Sequence, residues 1–369
     1  MPFVGGCLRI RPARPRASNR GDVQCGRAWS SLPLCLVADA ATGNTGTMAQ
    51  NRYPLAQLPT PLERADRLTE AWGGPEIWIK RDDLTGFGLS GNKVRKLEFH
   101  IAAALDAGAT TLVTCGAVQS NHCRATALAA ARVGMDCVLL LRSPDGGPPA
   151  DTTGNYLLQR LAGAEVRFIT PEQWQDRRAL MKAVVAEIEA AGQQGWIMPA
   201  GASDRLGVAA FDHAVAELAM QISAAQIPGP VSIWHASSSA GTTAGLALGV
   251  ARRGLDIRVI GSSVGDTRAE LTGYVQGLLD RVGEDGANAP FEIVDEYVGL
   301  GYGKTTDEEL AVQIEATRLT GLIWDPTYTG KALFGLKQAI DAGRFGVDDQ
   351  VIFWHTGGGF AAFAHTFAL

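Results

Sequence analysis

The sequence repeats one arrangement several times: a short apolar run, a loop of small residues, and then the start of a helix. Apolar runs of this kind occupy residues 77–79, 111–115, 232–235 and 350–355. Short apolar runs that alternate with helical segments are typical of parallel sheets with helices on both faces. The arrangement therefore predicts an α/β protein with mostly parallel sheets flanked by helices, whose ligand lies beyond the carboxyl ends of the strands.

Further elements follow from periodicity and turn residues. Helices are predicted over 121–133 and 155–162, and strands over 137–141, 165–169, 196–198 and 257–261. Thr170, Pro171 and Gln173 have the form of a capping box with proline at the first helical position. We therefore expect a long helix to begin there and to end near Gly192.

Four loops at predicted strand ends carry polar or small residues, and we expect them to form one composite site; they are 90–93, 116–121, 237–243 and 356–359. Lys93 lies in the first loop, where a glycine-rich turn meets a helix with Leu97 and Ile101 on one face. An amine held there could clamp a phosphate or act as a Schiff-base nucleophile. The alternative is a solvated lysine in the first turn of a helix.

The loop 237–243 suits a single phosphate. Its small and hydroxyl residues precede a helix, so backbone N–H groups, hydroxyls and the positive helix end can meet an anion. It lacks the lysine of a P-loop, and the alternative is a tight turn that packs small residues. In the loop 116–121, Ser120 is predicted to cap a helix, and the free N–H groups of that helix end could bind a carboxylate. The alternative is that Ser120 caps the helix and the helix end binds nothing.

Composition and charge exclude several classes of function. The chain is 46% hydrophobic and 19% charged, and its net charge of −5 gives no reason to expect nucleic acid or an anionic membrane as a partner. No apolar run reaches the ~18 residues that a membrane-spanning helix needs. The six histidines and six cysteines show no metal-ligand spacing, so no metal site is expected. Cys115, Cys123 and Cys137 are predicted to be buried thiols in a reducing cytoplasm.

Residues 1–47 differ in composition from the rest of the chain. They carry six Arg, no Lys, two Asp and no Glu, without periodicity. We expect them to be a disordered tail or an extension from an upstream start codon assigned by mistake, with Met48 as the native start. An organelle transit peptide is the second interpretation.

One phosphate-binding loop, one lysine on a structured turn and one carboxylate-binding helix end are together what pyridoxal phosphate chemistry requires. Four segments also carry a resemblance to a known family: 91–98, 119–122, 325–331 and 355–358. From about Tyr53 onwards the chain resembles the 1-aminocyclopropane-1-carboxylate deaminase / D-cysteine desulfhydrase family. That family lies within the tryptophan-synthase-β-like (fold type II) group of pyridoxal-phosphate enzymes.

The resemblance implies a role for each matching residue. Lys93 would be the Schiff-base lysine. The implied cofactor contacts are Lys93, Asn92, Lys96, Asn121, Ala240, Gly241, Thr242, Thr243 and Thr356. The implied substrate contacts are Ser120, Asn121, His122 and Thr329. The implied catalytic residues are Lys93, Ser120, Tyr302 and Tyr328.

The family layout also implies a two-domain chain. Residues 96–200 would form a small mobile domain, and 48–95 together with 201–369 would form the large cofactor-binding domain. The family further suggests a homodimer.

The family divides between ring opening of aminocyclopropane carboxylate and β-elimination from cysteine-like amino acids. By the family pattern, deaminases have Glu and Leu where this chain has Thr329 and Thr356. A carboxylate beside a pyridine nitrogen favours its protonation and makes the ring a stronger electron sink than a neutral hydroxyl does. Loss of a good β-leaving group needs less carbanion stabilisation, so both threonines, with His122, resemble the desulfhydrase side.

We therefore predict α,β-elimination of D-cysteine, or of a similar β-substituted amino acid, to pyruvate, ammonia and sulfide. Three alternatives stay open: ring-opening deamination to 2-oxobutyrate, elimination of sulfite from L-cysteate, and non-catalytic binding of a phospholigand by the same fold.

Overall fold

The computed structural model describes residues 51–364, which form ten strands and eleven α-helices. The strands are β1 Leu62–Arg64, β2 Glu76–Arg81, β3 Thr111–Ala117, β4 Asp136–Arg142, β5 Glu165–Ile169, β6 Gly195–Ile197, β7 Val231–Ser237, β8 Ile257–Ser263, β9 Glu292–Val294 and β10 Gln350–His355. The helices are α1 Asp66–Trp72, α2 Lys93–Asp106, α3 Asn121–Val133, α4 Gly154–Leu161, α5 Arg177–Ala190, α6 Arg205–Ala225, α7 Gly241–Arg253, α8 Arg268–Asp280, α9 Glu284–Ala287, α10 Asp307–Thr320 and α11 Thr329–Asp341. The predictions for residues 1–47 and for a start at Met48 lie outside the described residues.

The larger sheet has six strands in the order β1-β2-β10-β7-β8-β9, and all neighbours are parallel except β1 and β2. Across β10 and β7, Ile352 pairs with Ile233 and Phe353 with Trp234. Successive residues of a strand point to opposite faces. Ile233 and Ile352 therefore pack in one buried cluster and Trp234 and Phe353 in another. Burial on both faces explains why these strands read as continuous apolar runs.

The smaller sheet has four parallel strands in the order β5-β4-β3-β6. Leu112 and Leu139 face one apolar cluster, whereas Val113 and Val138 face another. All four strands fall within 96–200, the segment that the sequence predicts as a small mobile domain. That this segment moves as a unit stays a prediction.

The predicted helix after Thr170 begins later than expected. The capping-box bonds exist, since the N–H of Gln173 donates to the Thr170 hydroxyl at 3.2 Å and the N–H of Thr170 to the Gln173 side chain at 2.9 Å. One 3-10 turn follows, and α5 starts only at Arg177. The backbone N–H of Arg177 donates to the Trp174 carbonyl, which closes the 3-10 turn, and the Arg177 guanidinium donates to the same carbonyl at 2.9 Å.

The three described cysteines are free and buried, as the sequence predicts. Burial raises the pKa of Cys115 to about 11 and that of Cys137 to about 12, which keeps both thiols protonated and unreactive. Within 51–364, no helix has the length and apolar character to cross a bilayer, and no cluster of three or more metal-ligating side chains occurs.

Candidate active site

The four polar loops meet at the carboxyl ends of β2, β3, β7 and β10. The backbone N–H of Asn92 donates to the Thr356 carbonyl at 3.0 Å, and the Asn92 side chain donates to the Thr242 hydroxyl at 3.3 Å. A Cβ placed on Gly358 would stand 2.7 Å from the Asn121 amide nitrogen, so the loop after β3 touches the loop after β10. The composite site expected from the strand pattern is therefore present.

Lys93 is the first residue of α2 and is half-buried among these loops. Burial lowers the pKa of its amine to about 8, and no neighbouring carboxylate offsets the loss of water. A substantial fraction of the amine is therefore neutral just above physiological pH. A neutral amine on a fixed backbone is what a nucleophile towards an aldehyde needs.

A group of small and polar residues beside Lys93 forms an anion cradle. The Lys96 amine is fully buried and donates to the Gly201 carbonyl at 3.2 Å and to the Ser203 hydroxyl at 3.4 Å. Ser203 in turn donates to the Ser239 hydroxyl at 2.8 Å. A Cβ on Gly241 would stand 2.6 Å from the Ser203 oxygen and 2.8 Å from the Lys96 amine, so only glycine leaves this space open.

The charge balance of the cradle favours an anion. Burial, together with the neighbouring Lys93, lowers the pKa of Lys96 well below its usual value. Within the described part of the chain, no carboxylate lies within salt-bridge distance of the Lys96 amine. A bound phosphate would supply the missing negative charge and would restore the charged state of Lys96.

The two threonines of the 237–243 loop differ in orientation. Thr242 faces Asn92, as described above, whereas the Thr243 hydroxyl pairs with the Ser237 hydroxyl at 2.6 Å and with the His235 ring at 3.2 Å. Because the Thr243 side chain is committed to β7, only its backbone is free to face a phosphate. Ala240 lies at the N-cap of α7 with a left-handed φ of 66°.

The N-terminus of α3 carries Ser120 and Asn121, two of the residues predicted to contact the substrate. The Ser120 hydroxyl accepts from the N–H of Cys123 at 3.1 Å, which confirms the predicted N-cap and leaves its O–H able to donate. The side-chain oxygen Oδ1 of Asn121 accepts from the Asn155 side chain at 2.8 Å, so Nδ2 of Asn121 is the side-chain group that remains for a ligand.

His122 is a buried, neutral imidazole. Its Nε2 lies 2.8 Å from the Thr114 hydroxyl, and Thr114 itself donates to the Met198 carbonyl at 2.8 Å. Since the hydroxyl proton is already used, Nε2 carries the ring proton and donates to Thr114. Burial, with the Lys93 and His100 charges, lowers the pKa of His122 well below its usual value. Its Nδ1 is buried without a partner in the described chain and can accept a hydrogen bond.

The remaining predicted residues lie around Asp325. The Tyr302 and Tyr328 hydroxyls are 2.5 Å apart, and burial raises the pKa of both phenols. Thr329 is fully buried, and its hydroxyl donates to an Asp325 carboxylate oxygen at 3.0 Å and accepts from the Asp325 N–H at 2.8 Å. A Cβ on Gly358 would stand 3.0 Å from the Asp325 carboxyl carbon, which joins this group to the rest of the site.

These residues fit pyridoxal phosphate on the geometry alone. Lys93 presents an amine with a lowered pKa on a half-buried side chain. The glycine-lined cradle presents hydroxyls and a buried amine without a carboxylate, which suits a phosphate. The α3 end presents a helix N-terminus next to both, which suits a carboxylate.

The fold and this site together define a pyridoxal-phosphate enzyme, and comparison with known proteins agrees. Residues 53–357 match the model of the family described as pyridoxal-phosphate dependent enzyme. Two D-cysteine desulfhydrases, from Salmonella choleraesuis (strain SC-B67) and Salmonella paratyphi A, are 40% identical over 323 residues, which is 85% of this chain and 97% of each relative.

Solved structures give the same result. The chain matches the crystal structure of an ACC deaminase homologue with a TM-score of 0.75 and 33% identity, covering 86% of this chain and 94% of that one. A fungal L-serine ammonia-lyase from Rhizomucor miehei matches with a TM-score of 0.60 at 17% identity, covering 83% and 95%, and supports the fold alone. The chain belongs to the 1-aminocyclopropane-1-carboxylate deaminase / D-cysteine desulfhydrase family of pyridoxal-phosphate dependent enzymes. The predicted fold type II class and the predicted cofactor are thereby confirmed.

Sequence reasoning assigns no role to three residues that the structure places in or beside the site: Ser203, Asp325 and Arg124. Ser203 follows β6, and a search for hydroxyls after every strand could have found it. Asp325 opens the segment 325–331, in which the tyrosine and threonine are the more conspicuous residues. For Arg124, inside a helix, the sequence carries no such signal.

Proposed function

We propose that this chain catalyses α,β-elimination from D-cysteine or a similar β-substituted amino acid. With D-cysteine, one water is consumed, and pyruvate, ammonia and hydrogen sulfide are released. The observation that supports this reaction most is the similarity to D-cysteine desulfhydrases along 97% of their length. Thr329 agrees with it by the family pattern, because a neutral residue at this position fits elimination better than ring opening.

Each group of residues has a part in the proposal. The bound cofactor supplies the electron sink for the carbanion at the substrate α-carbon. The Lys93 amine holds the cofactor and accepts the α-proton, while the cradle of Lys96, Ser203 and Gly241 holds the phosphate. The α3 N-terminus with Ser120 binds and orients the substrate carboxylate. The paired Tyr302 and Tyr328 hydroxyls stay protonated at neutral pH, and the one proton that their mutual hydrogen bond leaves free is donated to the departing sulfur.

A substrate panel tests the reaction. Purified holoenzyme is given D-cysteine, L-cysteine, L-cysteate and aminocyclopropane carboxylate, and pyruvate, 2-oxobutyrate, sulfide and sulfite are measured. We expect pyruvate and sulfide from D-cysteine at the highest kcat/KM. Faster 2-oxobutyrate formation from aminocyclopropane carboxylate would refute the proposal, and sulfite from L-cysteate as the main product would change the leaving group.

The cofactor linkage has its own test. Borohydride treatment of the holoenzyme should fix a stable pyridoxyl group on Lys93, detectable by mass spectrometry of the peptide. Lys93→Ala should remove the label and the activity together. Lys182→Ala, at a lysine outside the site residues, is the matched control and should change neither.

We further propose that the chain works as a homodimer in the cytoplasm, with 96–200 as a mobile small domain and with neither nucleic acid nor a membrane as partner. The net charge of −5 supports the absence of nucleic-acid and membrane partners, and the free, buried cysteines support the cytoplasm, whereas the dimer and the mobile domain rest on the family resemblance. Sedimentation velocity tests the dimer, cell fractionation tests the compartment, and hydrogen exchange with and without substrate tests the movement of 96–200.

A further inference from the structure

Arg124 is a buried cation that the predicted machinery does not use. It lies on α3, one turn after Asn121, and is 1% exposed. No carboxylate forms a salt bridge with it within residues 51–364. Burial without a counter-charge lowers the pKa of its guanidinium to about 10. Placing a charge in such surroundings is unfavourable unless the group is hydrogen-bonded or paired, so Arg124 depends on its hydrogen bonds.

The guanidinium of Arg124 bonds three consecutive carbonyls. It donates to the Gly88 carbonyl at 2.7 Å, to the Leu89 carbonyl at 3.0 Å and to the Ser90 carbonyl at 2.9 Å. The planar, multi-donor fork of arginine can reach several acceptors at fixed angles, which the single nitrogen of a lysine cannot do. The Phe360 ring lies 5.5 Å from the guanidinium carbon and covers it.

The loop segment that Arg124 holds, residues 88–90, has an unfavourable backbone conformation. Residues 88–90 all have positive φ, with values of 53° at Gly88, 62° at Leu89 and 67° at Ser90. Leucine and serine favour other conformations, so this backbone needs outside contacts to persist. Gly91 continues the run with φ 112°, and a Cβ there would stand 3.2 Å from the Thr356 carbonyl.

This loop leads directly into Lys93. The N–H of Asn92 donates to the Thr356 carbonyl, so the segment before the lysine is held by the loop after β10 on one side and by Arg124 on the other. Arg124 also belongs to α3, whose N-terminus is proposed to bind the substrate carboxylate. One side chain therefore joins the substrate-binding end of α3 to the backbone that carries Lys93.

We propose that Arg124 is a positioning residue that fixes the Lys93 amine relative to the α3 N-terminus, and thereby sets the rate of proton transfer at the substrate α-carbon. The inference rests on the proposed function, since it takes Lys93 as the proton acceptor. Displacement of a reacting group by about 1 Å can cost on the order of 100-fold in rate.

The test compares Arg124→Met, which keeps an unbranched chain but removes all donors, with Arg132→Met, an exposed arginine of the same helix. For Arg124→Met we expect kcat with D-cysteine to fall by about 100-fold, with little change in KM. The kinetic isotope effect with α-deuterated D-cysteine should rise, because proton transfer becomes the slow step. Arg132→Met should match the unaltered enzyme in all three quantities.

A second readout does not depend on turnover. The rate at which the apoprotein attaches pyridoxal phosphate, followed by absorbance, should fall in Arg124→Met while the affinity for inorganic phosphate at the cradle stays the same. A purely structural role would lower the melting temperature and change both binding quantities together. If Arg124→Met does not fold, Arg124→Lys takes its place. We expect kcat, the isotope effect and the attachment rate to change in the same directions but by smaller amounts.

The outcomes separate the two proposals. An unaltered enzyme without elimination activity overturns the proposed function, and the attachment rate then still measures the positioning of Lys93. An active enzyme whose folded Arg124→Met or Arg124→Lys variant keeps the original kcat, isotope effect and attachment rate overturns the role of Arg124.

Discussion

The hydroxyl oxygens of Tyr302 and Tyr328 lie 2.5 Å apart, with the two rings edge to face at 76°. The residues are 26 positions apart, and the contact joins the loop before α10 to the loop before α11. One hydroxyl must donate to the other, so one proton of the pair remains for a ligand. Burial raises the pKa of both, which keeps that proton in place at neutral pH.

Removal of either phenol should slow departure of the leaving group. Tyr328→Phe and Tyr302→Phe are each expected to lower kcat by about 100-fold or more, because general acid catalysis contributes on this scale. Steady-state kinetics with D-cysteine and with β-chloro-D-alanine would show it. Chloride needs no proton to leave, so a smaller loss with the chloro compound is expected, and equal losses would contradict an acid role. Tyr274→Phe, at a tyrosine that is 54% exposed, is the control.

The lowered pKa of Lys93 should set the pH dependence of cofactor attachment. Only the neutral amine attacks an aldehyde, and burial lowers the pKa of this amine to about 8. The attachment rate of pyridoxal phosphate to the apoprotein should therefore rise with pH and level off above about pH 8. Stopped-flow absorbance measures it. A rate that continues to rise towards the usual lysine pKa of about 10.4 would show that the amine is not perturbed.

The Thr329 hydroxyl should matter for stability as well as for the site. Thr329→Val leaves the Asp325 N–H and carboxylate each short of one partner in a fully buried place. The free energy of unfolding should fall by about 1–3 kcal/mol. Thr329→Ser keeps the hydroxyl and should lose much less. Urea denaturation of both variants measures the difference.

A carboxylate at position 329, as in the deaminase pattern, should not fit this chain. Thr329→Glu would place a second buried carboxyl against Asp325, whose pKa burial already raises to about 6. Raised pKa values mean that the folded state binds more protons than the unfolded state, so stability falls as pH rises through them. Thr329→Glu should therefore lose more stability between pH 5 and pH 8 than the unaltered protein. The urea midpoints of both proteins at pH 5 and pH 8 test this prediction. An equal change in midpoint for the two proteins would contradict it.

Filling the phosphate cradle should weaken the cofactor specifically. A Cβ on Gly241 meets the Ser203 oxygen and the Lys96 amine, so Gly241→Ala must displace one of them. We expect roughly a tenfold or greater loss in pyridoxal phosphate affinity, since overpacking typically costs about 1–3 kcal/mol. Gly273→Ala is the matched control, because a Cβ there meets nothing within 4 Å. Equilibrium titration of the apoproteins would compare them.

Much of the fold was predictable because its signals are local. The helix 121–133 and the strands 165–169 and 350–355 have the predicted bounds, since caps and continuous apolar runs mark them directly. The prediction of a long helix after Thr170 was wrong about where the helix starts. The backbone N–H and the guanidinium of Arg177 both donate to the Trp174 carbonyl, so a 3-10 turn stands where the α-helix was expected to begin, and no local pattern reports this geometry.

The sequence by itself determined that strand-end loops would bring a lysine, a phosphate-binding turn and a capped helix end into one site, because parallel strands place their carboxyl ends along one edge. Only the tertiary structure decided how the members of that site are held. Ser203 reaches the cradle from the loop after β6, and Asp325 forms both hydrogen bonds of the Thr329 hydroxyl. Arg124 bonds the loop before Lys93, which lies 34 to 36 residues earlier in the chain. These contacts depend on side-chain directions between elements distant in sequence, and such directions are fixed only when the elements pack together.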